Sequence, residues 1–164
     1  MAPLIRRILV ATDVSATSDY GLEYAHLIAR PLGASVHLLH VLVDPLLPEG
    51  LVADAYVGES PSQRTTAIAK AQGHLRERSV GMTTTQVLVG QDVETIVAFT
   101  MRAAIDLLVM GTHGRTGVAH LLMGSVAERV VRAAPCPVLT VRTHPVAVSG
   151  AVPAGLPDAE CATG

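Results

Sequence analysis

Gly111, Gly114, Gly124 and Ser125 are the residues of this chain whose types and spacing could do chemistry. They fall in the run MGTHGRTGVAHLLMGS, Met110 to Ser125, where Gly117 adds a further glycine. Glycine in a regular element costs about 0.5–1 kcal/mol relative to alanine, so such a cluster needs a geometric or a chemical reason. The first pair follows directly on DLLVMG (Asp106–Gly111), an apolar run that reads as a buried strand. It therefore lies at the strand's carboxyl end, the rim where open parallel sheets receive ligands. Gly124–Ser125 opens the next helix, whose first amides have no partner within the helix and favour negative charge. An anion contact there contributes about 0.3–1 kcal/mol when exposed and up to about 2 kcal/mol when partly buried. Several amides together with the Ser125 hydroxyl could thus hold a polyphosphate without an amine side chain. His113 and Arg115 sit inside the loop as candidate phosphate contacts, Arg115 as a permanent cation. The bland reading of the same residues is a tight loop, a helix cap and two solvated side chains.

Lysine-dependent phosphate loops are excluded. Of twelve basic residues only Lys70 is lysine, and no G-x-x-x-x-G-K-[ST] run exists. A dinucleotide fingerprint would place glycines after the first strand, but ATDVSATS contains none. Asp13, in that segment, is either a cap for the following helix or a binding residue. Beside a triphosphate its carboxylate repels unless it faces ribose hydroxyls or shares a divalent cation.

The elements that must position these residues follow from the pattern of apolar runs. A short run within Arg6–Asp13, SVHLLHVLV (Ser35–Val43), MTTTQVLVG (Met82–Gly90), DLLVMG and CPVLTVR (Cys136–Arg142) read as five strands, mostly covered on both faces. A first helix follows the first strand, with Leu22, Ala25, Ala29 and Leu32 on one face, Ser15 or Thr17 as N-cap and Gly33 at its close. A second is expected over about Gln63–Ser79, with Ile68, Ala71 and Leu75 inward. A third has Asp92 as N-cap and Val93, Ile96, Val97, Thr100 and Ala104 on one face; a fourth runs from Ser125 to about Ala133. Alternating strands and helices predict a single three-layer α/β domain over residues 1–142 with a parallel sheet. The stretch 44–60 is a long functional or mobile connection, and 143–164, rich in Pro, Gly and Ala, reads as a disordered tail.

Composition narrows the function classes. Among 164 residues, 49% are hydrophobic and only 2% aromatic, so Ala, Val, Leu and Ile must build the core. A net charge of −2 and a pI near 6.4 give no electrostatic footprint for nucleic acid. No run approaches the ~20 apolar residues of a membrane span, and MAPLIRRILVATD has neither the length nor the cleavage pattern of a signal peptide. A cytoplasmic protein is expected. Cys136 and Cys161 make neither a disulfide framework nor a metal spacing. His40, in a buried strand, reads as a hydrogen-bonded core residue.

GTHGRTGVAHLLMGS resembles the nucleotide-binding signature of the universal stress protein family, G-x2-G-x9-G-[ST]. ILVATDVSATS, LLHV, DLLVMG and SVAERVVRAAPCPVLTVR are similar to further segments of that family, so the resemblance covers about Arg7 to Arg142. It implies a Rossmann-like sheet in strand order 3-2-1-4-5 and membership of the subgroup that binds ATP, with AMP or ADP as related ligands and Mg2+ accompanying the nucleotide. By the same resemblance Ala11 and Thr12 approach the nucleotide, and Asp13 lies by the ribose or a phosphate-bound metal. Val41 meets adenine through its backbone, and Met110 closes the adenine pocket. Gly111, Gly114, Gly124, Ser125 and Val126 surround the phosphates. It also implies a regulator or sensor in stress response, and a homodimer paired through the last strand, Pro137 to Arg142. A slow Mg-dependent ATP-hydrolysing enzyme and a nucleotide-free interaction scaffold are the alternatives.

Overall fold

The computed structural model describes residues 4–43, 61–79, 81, 83–112 and 124–142. Along them run β1 (Arg7–Ala11), α1 (Ala16–Leu32), β2 (Ser35–Val43), α2 (Pro61–Arg78), β3 (Thr83–Gly90), α3 (Asp92–Arg102), β4 (Leu107–Gly111), α4 (Ser125–Ala133) and β5 (Val138–Val141). The five strands form one sheet in the order β3-β2-β1-β4-β5, with every pairing parallel. This is the fold class and strand order expected. Residues 44–60 and the tail from 143 lie outside the described residues.

β1 lacks polar alternation because both of its faces are covered. Ile8 and Val10 pack with Leu22, Ala25 and Ala29 of α1 and Leu75 of α2. Leu9 and Ala11 pack on the other face with Val93, Ile96 and Phe99 of α3 and Ala127 and Val130 of α4. A strand buried on two sides gains from apolar residues at every position. β3, at the sheet edge, instead alternates between half-buried and exposed residues in its first half.

Local signals set the ends of α1. Ser15 is its N-cap and accepts from the Ser18 amide, while Gly33 closes it in the left-handed region at φ 62. There an L side chain is strained and glycine is not. α3 departs from expectation at both ends. Its N-cap is Gln91, without a side-chain cap, and Asp92 is the first helical residue, its Oδ1 accepting from the Val93 amide at 2.7 Å. The carboxylate still lies in the first turn, where the helix dipole favours it. At the other end the helix stops at Arg102, and Ala104 lies beyond it, exposed, at φ 48. Phe99 takes the inward place instead. The last strand is shorter than the apolar run that predicted it, because Cys136 and Pro137 precede the pairing with β4.

The amino-terminal rim of the sheet is tied by Asp106, just ahead of β4. Its Oδ2 accepts from the amides of Arg6 and Arg7 at 2.8 and 2.9 Å. Those backbone bonds hold its carboxyl below the usual carboxylate range.

Candidate functional site

At the opposite, carboxyl rim the strands end around a cavity of about 270 Å³. The turn after β1 contributes Ala11, Thr12 and Asp13; β2 contributes Val41; β4 contributes Met110 and Gly111; and α4 contributes Gly124, Ser125 and Val126. Nine of the expected site residues thus meet at one place although they come from four separate stretches of sequence. His113, Gly114 and Arg115 lie outside the described residues.

The α4 side of the cavity is built of backbone donors. Gly124 donates its own amide to the Thr112 carbonyl at 2.7 Å, and its carbonyl accepts from Glu128 at 2.9 Å. The next amides, of Ser125, Val126 and Ala127, have no acceptor among the described residues, and no side chain caps the helix. All three residues line the cavity. Gly124 adopts φ −58 and ψ 146, which any residue can take, so glycine is not needed there for its dihedrals. It stands at a helix start, the arrangement that receives anions.

The turn between β1 and α1 makes the second wall. The Asp13 Oδ1 accepts from the Ser15 amide at 3.1 Å and from the Ser15 hydroxyl at 2.5 Å, which fixes the carboxylate against the helix cap. The third part of the lining is apolar, with Leu39 and Val41 of β2, Ile96 of α3 and Met110 of β4, the kind of surface that lines small-molecule pockets. The described lining holds two carboxylates, Asp13 and Asp92, and no Lys or Arg. Among the described residues, then, the donors at hand for an anionic guest are those of the α4 start and not Lys or Arg side chains. No group of three or more His, Cys, Asp or Glu that could hold a metal occurs among the described residues. A divalent cation here would depend on oxygens brought by the guest, with Asp13 as the cavity carboxylate in reach of the α1 cap.

Several lining residues were not anticipated. Ser18, Leu39, His40, Val43, Asp92, Ile96, Thr112 and Ala127 share the cavity. Period-two alternation places Leu39 on the same face as Val41, and Asp92 and Ile96 are one helical turn apart; both signals are in the sequence. His40 is buried, as expected of a core residue, with Nδ1 2.7 Å from the Thr12 carbonyl oxygen, but it also borders the cavity. Cys136 packs among the residues under α3 and α4, and burial pushes its thiol up, away from reactivity.

The universal stress protein family profile matches residues 4–142. A universal stress protein of Methanocaldococcus jannaschii is 34% identical over 143 residues, covering 85% of this chain and 83% of its own length. The chain belongs to the universal stress protein family. Solved structures share the fold of this universal stress domain. One is a universal stress protein in complex with cAMP, at TM-score 0.58 and 23% identity, covering 85% of this chain and 98% of its own. Another is the universal stress protein of Archaeoglobus fulgidus in complex with dAMP, at TM-score 0.53 and 21% identity, with the same coverage of both chains. The family match ends at residue 142, one residue beyond β5. No described helix of the domain is long and apolar enough to cross a membrane.

Proposed function

We propose that this universal stress domain binds an adenine nucleotide, ATP with Mg2+ foremost and AMP or ADP as related ligands, and acts as a nucleotide-responsive regulator. The observation that carries the reading is the start of α4 at the cavity: Ser125, Val126 and Ala127 line it beside Gly111 and Gly124, and their amides have no acceptor among the described residues. The phosphates lie against these amides and the Ser125 hydroxyl. The base lies in the slot between Val41 and Met110, and the ribose lies at Ala11, Thr12 and Asp13, next to any phosphate-bound Mg2+. Gly114, His113 and Arg115 complete the phosphate loop in this reading. Family members in complex with cAMP and dAMP are consistent with an adenine ligand; the cavity of this chain supplies the independent support. The stress-response role and the homodimer through β5 rest on family membership.

Calorimetric titration of the full chain with Mg-ATP tests the reading, with mass spectrometry of small molecules released from freshly purified protein alongside. A dissociation constant below about 1 mM, worth ~4 kcal/mol, and a released adenine nucleotide are expected. No binding and no nucleotide in the extract would leave the interaction scaffold as the better description. Phosphate release followed in the same samples reads turnover separately.

A further inference from the structure

Thr12 is held on every polar group it has. Its amide donates to the Leu39 carbonyl at 2.9 Å, and its carbonyl faces His40 Nδ1 at 2.7 Å. A carbonyl oxygen can only accept, so in this bond Nδ1 is the donor. The Ser18 hydroxyl donates to the Ser15 carbonyl at 2.8 Å, which leaves the Thr12 hydroxyl as donor to Ser18 Oγ at 2.7 Å. Thr12 Oγ1 in turn accepts from the Val14 amide at 3.0 Å.

That convergence has a purpose in the backbone. Val14 sits at φ 64, a left-handed conformation that a β-branched residue avoids. Such a conformation persists only where its surroundings over-determine it. Asp13 stands between pinned Thr12 and strained Val14, so the direction of its carboxylate depends on the turn staying in this shape. Thr12 is 7% exposed and His40 8%, so water does not readily replace the ring as donor to the carbonyl.

We infer that His40 is a positioning residue for the nucleotide site: its Nδ1–H clamps the Thr12 carbonyl and thereby holds the β1–α1 turn, and with it Asp13, in the shape that receives the ligand. The inference rests on the nucleotide reading above and adds a residue that touches the ligand's turn from β2. His40 borders the cavity, but the role assigned to it is exerted through Thr12 and Asp13.

The test is Mg-ATP titration of the full chain as wild type, His40→Phe, His40→Asn, Asp13→Asn and the Asp13→Asn/His40→Phe pair. His40→Phe keeps an aromatic ring and removes the donor, and is expected to bind about tenfold more weakly. Asparagine carries an N–H on the atom equivalent to Nδ1, and is expected to return affinity to within about threefold of wild type. Because His40 acts through the turn that carries Asp13, the pair is expected to bind no more weakly than Asp13→Asn alone. A merely structural histidine would give fully additive losses and no rescue by asparagine, and either result overturns the inference. Wild-type binding that His40→Phe leaves unchanged overturns it too while the nucleotide reading stands; absence of wild-type binding removes that reading and this one with it. If His40→Phe fails to fold, His40→Asn and the imidazole nitrogen resonances of the wild type decide. An Nε2–H tautomer, or an asparagine variant tenfold weaker than wild type, counts against the clamp.

Discussion

Gly124 donates its amide to the carbonyl of Thr112 at 2.7 Å, which fastens the head of α4 to the end of β4. The residues of the following three amides line the cavity, and none of those amides has an acceptor among the described residues. A serine at position 124 would serve as a better N-cap than glycine, by a few tenths of a kcal/mol, because its hydroxyl can take one of those amides. The same hydroxyl would occupy the place of a phosphate oxygen. Gly124→Ser is therefore expected to raise the melting temperature by about 1 °C while weakening Mg-ATP binding about tenfold. Opposite signs in thermal melting and calorimetry are the signature; parallel losses would mean the glycine is structural.

Gly90 ends β3 where α3 folds back over it. A Cβ on Gly90 would stand 2.5 Å from Thr95 Oγ1, while the next atom, Thr95 Cβ, is 3.8 Å away. Gly90→Ala should therefore cost about 1–3 kcal/mol, the range for overpacking. Removing the offending oxygen as well, in Gly90→Ala/Thr95→Ala, should recover most of that loss. Urea denaturation of the two single variants and the pair reads the non-additivity directly.

Two histidines make stability depend on pH. Burial, and then the nearby Arg30, lowers the pKa of His26; burial, and then Arg7, lowers that of His37, both from 6.5. Below pH 6.5 the unfolded chain takes up protons that the folded chain resists. The stabilising difference is then complete above that pH and is lost as pH falls through it towards the folded-state values. The urea midpoint is expected to drop between about pH 7.5 and 5.5, and the His26→Gln/His37→Gln pair to flatten that slope. Asp106 acts in a lower window, its stabilising share being lost only as pH falls below 3.8.

β5 offers a test of assembly. Pro137 and Val141 direct their carbonyls to β4, accepting from Leu108 and Thr112 at 3.0 and 2.9 Å. Backbone groups alternate in direction along a strand, so Thr140 turns its amide to the open edge. Thr140→Pro removes that outward donor and keeps the bonds to β4, a substitution edge strands tolerate. If two copies pair along this edge, light scattering should show the variant at half the wild-type mass with its melting temperature nearly unchanged.

The parts of the fold legible in the sequence were those that burial and backbone chemistry write locally. Ile8, Leu9 and Val10 announced a strand covered on both sides, and Ser15 and Gly33 marked the two ends of α1. Gly111, Gly124 and Ser125 line the cavity at the strand end and helix start to which their spacing pointed, while Gly114 lies outside the described residues. The misses came where a residue's role is set by distant neighbours. Asp92 has the composition of an N-cap, but the backbone entered the helix one residue earlier; Ala104 has the right spacing for a buried face on a helix that ends before it. His40 looked like a core residue and is one, but its bond to Thr12 spans 28 positions, and no local pattern records such a partner.

The two rims of the sheet are chemically unequal. At the amino rim Asp106 consumes the amides of Arg6 and Arg7, and the Arg7 guanidinium closes on the Ala103 carbonyl at 2.7 Å. Those two amides are satisfied within the chain and are not open to a ligand. The sheet thus has a polarity in its backbone donors: at one rim a carboxylate of the chain itself takes them up, and at the other the start of α4 meets the cavity.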